Sequence, residues 1–535
     1  MSSIQKPKSS SHTERLEAMQ KIAVQLINSR EPHDLLHLIV NKAMDLLYCD
    51  AGSLYLKKNE KDMVFEVAVN RSLEFKFEKQ VVSILGNGIA TYCYRSAKPI
   101  IVHDVYKIPP QVPYTFDNSF DIHSGYRTRS VIAHPLISSK GETLGVLQLI
   151  NRKHEATEEW PSKDEKQIEN MPTFTEEDND FLVSFAALAS AAIENSKLYQ
   201  NIENLFEGFV KASVDAIETR DPATRGHSER VAYLTLDLAQ RVSDSNDPEF
   251  KQYHFSDRQM LELRYATLLH DFGKIGVREE TLLKEKKLFD IQKIAIESRL
   301  KEFLHAREIE LLRELISMAV GQKQALSKIE ATRVEKVIKS FQTELMNHWD
   351  KVLELNEPTV LNEDKDKTLQ KLKKLQFKDT AGQIRALLNE NEVELLSIKK
   401  GSLSPIERLE IEMHATNSYH FLRQIPWTSD LANIPEIAYA HHEKMNGLGY
   451  PRKISGEQIP IQTRMMSICD IYDALVANDR PYKKALPREK ALQIIGFETK
   501  DGALDAKFVK MFIESKVYEN PDFNALISGN KNRAA

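Results

Sequence analysis

The sequence predicts an α+β N-terminal domain with an antiparallel sheet, joined by a long helix to an all-α C-terminal domain. Short runs rich in β-branched residues alternate with helical patterns between residues 32 and 198. A continuous helical pattern follows, and the runs assigned beyond Gly208, such as Leu261–Leu269, are helical. At 535 residues the chain is too long for a single core, so two or three domains are expected.

Composition argues against several classes of protein. A net charge of −5 provides no basic field for a nucleic acid polymer. Three scattered cysteines, Cys49, Cys93 and Cys469, fit a reducing cytosol better than a disulfide framework or a zinc ribbon. No signal peptide pattern follows Met1 and no apolar run is long enough for a bilayer, so we expect a cytoplasmic protein without membrane contact. Residues 1–20 are expected to form a disordered tail.

The N-terminal domain is predicted over residues 21–195. An amphipathic stretch from Leu35 to Leu47 precedes several short β-rich runs. These runs are Ser53–Leu56, Val64–Val69, Pro99–His103, Ser130–Ile137 and Leu144–Ile150. Strands bracketed by helices favour one antiparallel sheet with helical cover.

Two segments of this domain carry a family resemblance, GNGIATYCYRSAKPIIVHDV at Gly86–Val105 and GVLQLINRK at Gly145–Lys153. They resemble GAF domains, and the resemblance implies a sensor fold around a small-ligand pocket, with the ligand unknown. Members that bind cyclic nucleotides carry a signature that this chain matches only in part, at Asn151-Arg152, Phe174 and Asp178-Asn179. The alternative is a regulatory or dimerising domain that binds no cyclic nucleotide.

A connecting helix is predicted over residues 175–210. Thr175 and Asp178 have the spacing of a capping box, with Asp in place of the usual Glu or Gln. Apolar residues then recur at helical spacing from Leu182 to Leu205. Because a single exposed apolar stripe is costly in water, we expect this helix to pair with its copy in a parallel homodimer and to carry a signal. Packing on its own chain is the alternative.

Side chains that bind metals are concentrated in the C-terminal half. Five imidazoles and two carboxylates suit two ions, because borderline metals such as iron and manganese accept mixed nitrogen and oxygen ligands. A carboxylate beside a histidine, as in His270-Asp271, can bridge two ions with its two oxygens. The set predicts metal-assisted hydrolysis of a phosphate ester, and its members are His227, His270, Asp271, His414, His441, His442 and Asp470.

Four motifs in this half carry a second, specific resemblance. They are DPATRGHSERV at Asp221–Val231, LLHDFGKIGV at Leu268–Val277, HHEKMNGLGYP at His441–Pro451 and IPIQTRMMSICDIYDALVANDRPYKKA at Ile459–Ala485. They resemble the HD-GYP family of cyclic di-GMP phosphodiesterases, which places that domain over residues 211–535. The resemblance implies that a hydroxide bridging two iron or manganese ions hydrolyses cyclic di-GMP to pGpG. Whether pGpG is hydrolysed further to GMP is left open.

The same resemblance assigns roles to individual residues. It implies one ion at His227, His270, Asp271 and Asp470, and a second at Asp271, His414, His441 and His442. Asp271 and Lys274 are the predicted catalytic residues. The predicted substrate-binding residues are Asp221, Lys274, Gly449, Tyr450, Asp473, Arg480 and Lys483. Asp221 and Asp473 are also expected to orient water or a ligand histidine. For Lys274, Arg480 and Lys483 a solvated charge is the alternative.

The chain departs from the family pattern at three positions. Some members carry a Glu, which helps to hold a third ion, where this chain has Ala223, so we expect two ions per chain. Asn446 replaces an Asp in the signature loop, with an open effect on nucleotide choice. Ser418 replaces a Gly, and this change is expected to be tolerated.

The chain between Asp271 and His414 is far longer than in the family. The excess is predicted to be an insertion over residues 288–400, rich in Lys, Glu and Leu, with helical apolar spacing and a break at Asn356-Glu-Pro358. A helical hairpin or small bundle is expected beside the active site. It is expected to cap that site, to bind a protein partner or to extend the dimer.

Three functional classes therefore remain. The first is a cyclic di-GMP phosphodiesterase regulated by the GAF domain. The second is a catalytically weak receptor or scaffold for cyclic di-GMP, and the third is an HD hydrolase for another cyclic dinucleotide or a nucleotide. The complete ligand set argues against the second class, and the GYP and RPYKK motifs argue against the third.

Overall fold

The chain folds into two compact units, Met1–Glu207 and Gly208–Ala535. The computed structural model describes residues 12–28, 31–73, 78–155, 157–161, 164–221, 224–322, 328–477 and 485–527. In these ranges no helix combines the length and the hydropathy that a membrane crossing requires.

The N-terminal unit is built on a six-stranded antiparallel sheet with helices around it. The strands run in the order β3-β2-β1-β6-β5-β4 across the sheet. The prediction of an antiparallel sheet with helical cover is therefore confirmed. In chain order the elements are α1 His12–Asn28, α2 Pro32–Leu47, β1 Cys49–Lys57, β2 Asp62–Asn70, β3 Gln80–Ser83, α3 Ile89–Ser96, β4 Ile100–Val102, α4 Ser119–Ser124, β5 Val131–Ile137, β6 Thr143–Arg152 and α5 Glu165–Asn170.

Helix α1 corrects the prediction of a disordered tail over residues 1–20. The structure places helix from His12 onward, while residues 1–11 lie outside the described ranges. The reason is packing, because Ile22 and Leu26, one helical turn apart, are 6% and 2% exposed in the core that α2 forms on the sheet. The strand β3 was not predicted either. It is an exposed edge strand without an alternating apolar pattern.

The connecting helix α6 spans Glu176–Arg220 and is longer than predicted. The capping interaction at its start is confirmed, since the Asp178 carboxylate accepts from the Thr175 amide at 3.0 Å and the Asp178 amide donates to the Thr175 hydroxyl at 3.3 Å. Leu182 and Phe185 are buried in the N-terminal core. Further along, the helix leaves apolar side chains exposed, with Leu198 at 55%, Ile202 at 61% and Leu205 at 74%.

The C-terminal unit is mostly helical, as predicted. A two-stranded hairpin, β7-β8, is the exception and lies in the inserted segment. Beyond α6 the elements are α7 His227–Ser243, α8 Asp257–Leu269, α9 Glu279–Leu282, α10 Asp290–Gln322, α11 Lys328–Asn356, α12 Glu363–Lys373, β7 Gln376–Lys378, β8 Ile384–Ala386, α13 Glu390–Leu396, α14 Pro405–Leu422, α15 Ile434–Tyr439, α16 Ile461–Val476, α17 Arg488–Lys500, α18 Ala506–Glu514 and α19 Pro521–Ile527.

The inserted segment has an apolar core of its own. Ile296 and Phe303 of α10 and Val352 of α11 are each at most 1% exposed. They pack with Leu369 of α12 and with Leu388 near the hairpin. Helix α11 ends at Asn356, where the sequence predicts a break. The segment is therefore a small bundle that buries its own apolar residues.

The two ends of this bundle meet at a short neck. The Ser402 hydroxyl donates to the Lys284 carbonyl at 3.0 Å. The Lys284 ammonium in turn donates to both oxygens of the Glu407 carboxylate, at 2.7 and 2.8 Å. Both side chains of this ion pair are buried, at 1% and 8% exposed. The chain thus leaves and re-enters the domain at the same place, which explains how a long insertion is tolerated before His414.

Removing the bundle should leave the rest of the unit folded. We expect replacement of residues 287–400 by two glycines to keep the melting temperature within a few degrees and the metal content unchanged, since the neck contacts of Lys284, Ser402 and Glu407 remain. Calorimetry and elemental analysis of the shortened protein test this. Loss of cooperative unfolding would show that the bundle supports the domain.

Candidate metal centre

The metal centre starts where helix α8 ends. Its last turns bury Leu263 and Ala266 against neighbouring helices, and His270 follows as the C-terminal cap residue. Asp271 then begins a 3-10 turn, Phe272–Gly276. His270 and Asp271 are 1% and 5% exposed, so both side chains point into the protein. Buried polar groups of this kind need partners, and the adjacent helices supply them.

Helix α14 supplies one row of partners along a single face. Glu407, Glu410, His414 and Ser418 follow helical spacing, and each contacts the segment from His270 to Lys284. Besides the Glu407 pair at the neck, Glu410 accepts from Arg278 at 2.7 Å. His414 Nε2 lies 3.3 Å from Asp271 Oδ1. This row of contacts returns His414 to the His270-Asp271 dyad.

Ser418 and Gly273 allow the helix to approach closely. The Ser418 hydroxyl donates to the His270 carbonyl and accepts from the Gly273 amide, both at 2.7 Å. A Cβ atom on Gly273 would lie 2.0 Å from the His414 carbonyl oxygen. Gly273 was not among the predicted residues, and Ser418 was predicted only to be a tolerated change. The one available signal was the glycine that directly follows the HDF run.

A methyl group at this contact should push α14 away from Asp271. We expect Gly273→Ala to lower the free energy of unfolding by about 1–3 kcal/mol and to weaken metal binding, because overpacking displaces the helix that carries His414. Gly496→Ala is the matched control, since a Cβ at Gly496 meets nothing within 4 Å. Thermal unfolding and metal content measure both effects. Equal behaviour of the two variants would contradict the close approach.

A second group of histidines combines His414 of α14 with His441 and His442, which follow helix α15. The ligand atoms of His414, His441 and His442 lie within 4.8 Å of one another. His441 Nε2 is 3.2 Å from His414 Nε2 and 3.9 Å from Asp271 Oδ1. Three imidazole nitrogens that converge at this distance can bind one ion.

The first group lies on the other side of Asp271. Ligand atoms of His227, His270 and Asp271 fall within 4.8 Å of one another. His270 Nε2 is 3.5 Å from Asp271 Oδ2. His227, the first residue of α7, places its Nε2 3.2 Å from Asp470 Oδ1 on α16. The two Asp271 oxygens therefore face different histidine groups, which is the geometry of a carboxylate that bridges two ions.

Hydrogen bonds to the protein orient the ligand imidazoles. The Nδ1 atoms of His270, His414 and His441 each donate to the carbonyl oxygen three residues earlier, at 2.6 Å. Donation from Nδ1 leaves the Nε2 lone pair free to bind metal. The backbone of three separate helical turns thus presets the same tautomer.

His227 is oriented by the side chain of Asp473 and not by a backbone carbonyl. The Asp473 carboxylate accepts from His227 Nδ1 at 2.8 Å and from Arg230 Nε at 2.7 Å. Asp473 is 0% exposed, and His227 and Arg230 occupy both of its oxygens. These contacts fit the predicted role of orienting a ligand histidine, while the predicted contact with substrate stays a prediction. Arg230, which is 4% exposed and was not predicted, neutralises this buried carboxylate.

Electrostatics differ between the two groups. Burial holds the pKa of His441 well below its ordinary value and lowers the pKa of His442 to about 3. Burial also disfavours charge on His227, but the carboxylates of Asp470 and Asp473 raise its pKa to about 9. Burial would raise the pKa of Asp271, yet Lys274 and the nearby histidines hold it well below the usual range. Asp271 is therefore an anion, and His441 and His442 are neutral donors.

Lys274 lies beside the ligand carboxylate. Its ammonium is 2.7 Å from Asp271 Oδ2 and 3.4 Å from Asp221 Oδ2. The lysine side chain is 15% exposed, so it is not a solvated surface charge. The structure brings Lys274 and Asp221 to the metal centre, as predicted from the sequence.

The signature loop, residues 446–451, packs on the second histidine group. The Tyr450 ring lies 4.7 Å from the His442 ring, centroid to centroid. A Cβ on Gly449 would lie 2.5 Å from the His442 carbonyl oxygen, so only glycine fits there. Asn446 donates to the Asp501 carbonyl at 3.0 Å, a bond that the family's Asp cannot make when ionised. Ala223, Arg480 and Lys483 lie outside the described residues.

The partial cyclic-nucleotide signature of the N-terminal unit forms internal contacts. Arg152 Nε lies 2.9 Å from Asp178 Oδ2, and Asp178 is 1% exposed. Phe174 is 0% exposed in the core. The Asn151 amide donates to the Tyr126 hydroxyl at 3.0 Å. These contacts support a structural use of the signature residues.

Family models match both units of the chain. The model of the GAF domain matches residues 31–193. Two models of the HD domain match residues 224–353 and 391–508. The chain combines a GAF domain with an HD domain. The interval between the two HD matches falls inside the inserted bundle, and the family resemblances of the sequence are confirmed.

Curated relatives match the chain over short stretches. A 3'3'-cGAMP-specific phosphodiesterase of Vibrio cholerae is 39% identical over 97 residues, which cover 18% of this chain and 20% of the relative. A cyclic di-GMP phosphodiesterase of the same organism is 47% identical over 73 residues, or 14% and 15% of the two chains. A cyclic di-GMP phosphodiesterase of Thermotoga maritima is 35% identical over 99 residues, or 18% and 26%. The chain thus spans well under half the length of these relatives.

Among solved structures, the GAF domain of a phosphoenolpyruvate-protein phosphotransferase from Coxiella burnetii resembles the N-terminal unit. It is 20% identical, with a TM-score of 0.28, and the match covers 36% of this chain and 99% of that domain.

Proposed function

We propose that the HD domain is a two-metal phosphodiesterase that hydrolyses cyclic di-GMP. The observation that carries this proposal is the position of Asp271, whose oxygens face two separate histidine groups at 3.5 and 3.3 Å. Histidine and carboxylate donors fit two borderline divalent ions, and we propose iron or manganese. Two ions held there would lower the pKa of a bound water and stabilise negative charge on a phosphodiester.

The protein side chains divide the remaining work. One ion is held by His227, His270 and Asp470 together with Asp271. The second ion is held by Asp271 and the second histidine group, His414, His441 and His442. Lys274 is placed to neutralise a phosphate oxygen, because its ammonium lies at the edge of the centre and keeps a positive charge there. Tyr450 offers a ring face and a hydroxyl to a guanine base or its phosphate.

The choice of a cyclic dinucleotide rests on the relatives. Curated phosphodiesterases of cyclic di-GMP and of 3'3'-cGAMP match short stretches of the chain, at 47% and 39% identity. We propose cyclic di-GMP as the substrate and pGpG as the product, because the GYP loop and RPYKK are both present in the sequence. Whether the protein also hydrolyses pGpG to GMP is part of the test.

Turnover of a substrate panel distinguishes the candidate functions. Metal-loaded protein is incubated with cyclic di-GMP, 3'3'-cGAMP and pGpG, and the products are separated by chromatography. We expect cyclic di-GMP to be hydrolysed fastest. Faster hydrolysis of 3'3'-cGAMP would identify an HD hydrolase for another cyclic dinucleotide. Tight binding without turnover would identify a receptor.

We further propose that the GAF domain regulates this activity in a parallel homodimer formed through α6. Support comes from the exposed apolar residues of that helix, Leu198, Ile202 and Leu205. The inserted bundle is proposed to bind a protein partner, because Leu312, Ile316 and Val320 of α10 are 51%, 59% and 72% exposed.

The dimer is tested by charging its proposed interface. We expect Ile202→Glu combined with Leu205→Glu to convert the dimer into a monomer in sedimentation experiments, because two buried charges in a helix interface are costly. Lys211→Glu, an exposed change on the same helix, is the control. A double variant that sediments like the unmodified chain would contradict the proposal.

A further inference from the structure

The last turns of helix α6 are anchored in the C-terminal unit. Val210, Val214 and Ile217 lie on one face of the helix and are 1%, 4% and 2% exposed. Residues this deeply buried fix the helix end among the neighbouring side chains. The helix ends at Arg220, and the buried Asp221 follows, at 6% exposed.

Arg220 binds the turn that carries the metal ligand. Its guanidinium donates to the carbonyl oxygens of Ile275 and Val277, the latter at 2.7 Å. Those two residues end the turn that begins at Asp271. The planar, forked guanidinium fixes both the distance and the orientation of the carbonyls it contacts.

Asp221 makes a second contact with the same turn. Its carboxylate lies 3.4 Å from the Lys274 ammonium, which is also 2.7 Å from Asp271 Oδ2. Within the turn, the Lys274 amide donates to the Asp271 carbonyl at 2.9 Å, and the Val277 amide donates to the Lys274 carbonyl at 3.0 Å. Lys274 therefore lies between the helix end and the ligand carboxylate.

We propose that Arg220 is a positioning residue, which ties the end of α6 to the Asp271–Val277 turn and so sets the placement of Asp271 and Lys274. The inference rests on the proposed function of the metal centre. Arg220 and Asp221 both contact this turn. A displacement of the helix end therefore moves the Asp271 and Lys274 side chains together. A signal that arrives along α6 would act on the metal centre at this contact.

Hydrogen exchange in the full chain tests the contact without relying on turnover. In Arg220→Ala we expect amides of the 272–283 segment to exchange about tenfold faster, since the turn loses its hold on the helix. We also expect kcat/KM to fall about tenfold, because the turn that carries both Asp271 and Lys274 loses its fixed position. Arg241→Ala is the matched control, as the Arg241 side chain is 48% exposed and pairs with Asp237 on the same helix, α7.

The variant Arg220→Lys covers the case in which Arg220→Ala does not fold. Lysine keeps the charge but cannot hold two carbonyls in a fixed fork, so intermediate exchange is expected. Unchanged exchange in the folded variants would overturn the proposal. If the unmodified chain bound metal but hydrolysed no cyclic dinucleotide, the proposed function would fail, whereas faster exchange in Arg220→Ala would still support the positioning role.

Discussion

Asp271→Asn is expected to abolish hydrolysis of cyclic di-GMP. The two Asp271 oxygens lie 3.5 Å from His270 Nε2 and 3.3 Å from His414 Nε2, so both proposed ions depend on this one anion. An amide keeps the shape but removes the charge and one oxygen ligand. We expect kcat to fall at least about a thousandfold, since two-metal stabilisation of the transition state contributes several kcal/mol. Product chromatography and elemental analysis measure the two effects.

The control for this variant is Asp290→Asn. Asp290 begins α10, is 88% exposed and pairs only with Lys293 among the contacts described for it. Its replacement should leave metal content and turnover unchanged. If Asp271→Asn kept two ions per chain and normal turnover, Asp271 would not bridge the ions.

Asp473→Asn is expected to cause the largest loss of stability among single changes near the centre. Arg230 and Asp473 are 4% and 0% exposed, and Asp473 accepts from both Arg230 and His227. Removing one partner of a buried ion pair leaves the other charge without compensation. We expect the free energy of unfolding to fall by about 3–5 kcal/mol, measured by denaturant titration.

This loss should depend on pH in the metal-free protein. The pKa of His227, about 9, lies above the ordinary value of 6.5, so its carboxylate partners stabilise the folded state fully below about pH 6.5. The contribution is lost as the pH rises toward 9. The difference in stability between the unmodified chain and Asp473→Asn should therefore shrink over that interval. A constant difference would contradict a charged His227.

Asp505→Asn separates lost stability from lost metal binding. Asp505 forms another buried ion pair, 3.3 Å from Arg464, with both side chains under a tenth exposed. Both variants should be destabilised. Only Asp473→Asn should also lose metal affinity, by about 10–100-fold, because only Asp473 orients a ligand histidine. Equal metal affinity in the two variants would show that Asp473 has no such role.

The sequence predicted the architecture and several of the side chains that the structure brings together around Asp271. Helical and β-strand periods gave the two kinds of domain, and the HD motifs singled out side chains that converge in the structure, with Asp271 between His270 and His414. Local patterns suffice for His227, His270 and Asp271, because each lies at a helix end or in a turn that its own segment specifies. His414 and Asp470 lie within helices α14 and α16 instead.

Other features depended on packing between distant segments. Asp473 meets His227 across 246 residues, and no local pattern shows which of them is buried. The close approach at Gly273 is visible only once α14 lies against the turn. The closed neck likewise joins Lys284 and Ser402 across the whole insertion, so no local pattern shows the contact. Packing of Ile22 and Leu26 in the N-terminal core likewise accompanies the helix over residues 12–20, where the sequence predicted part of a disordered tail.

Activity as a function of metal occupancy tests the central claim most directly. Metal-free protein is titrated with manganese or, without oxygen, with ferrous iron, and hydrolysis of cyclic di-GMP is followed at each measured occupancy. We expect pGpG formation to rise with occupancy and to level off at two ions per chain, since Asp271 serves two histidine groups and Ala223 offers no ligand for a third. Two bound ions without any hydrolysis of cyclic di-GMP would contradict the account, as would activity that requires a third ion.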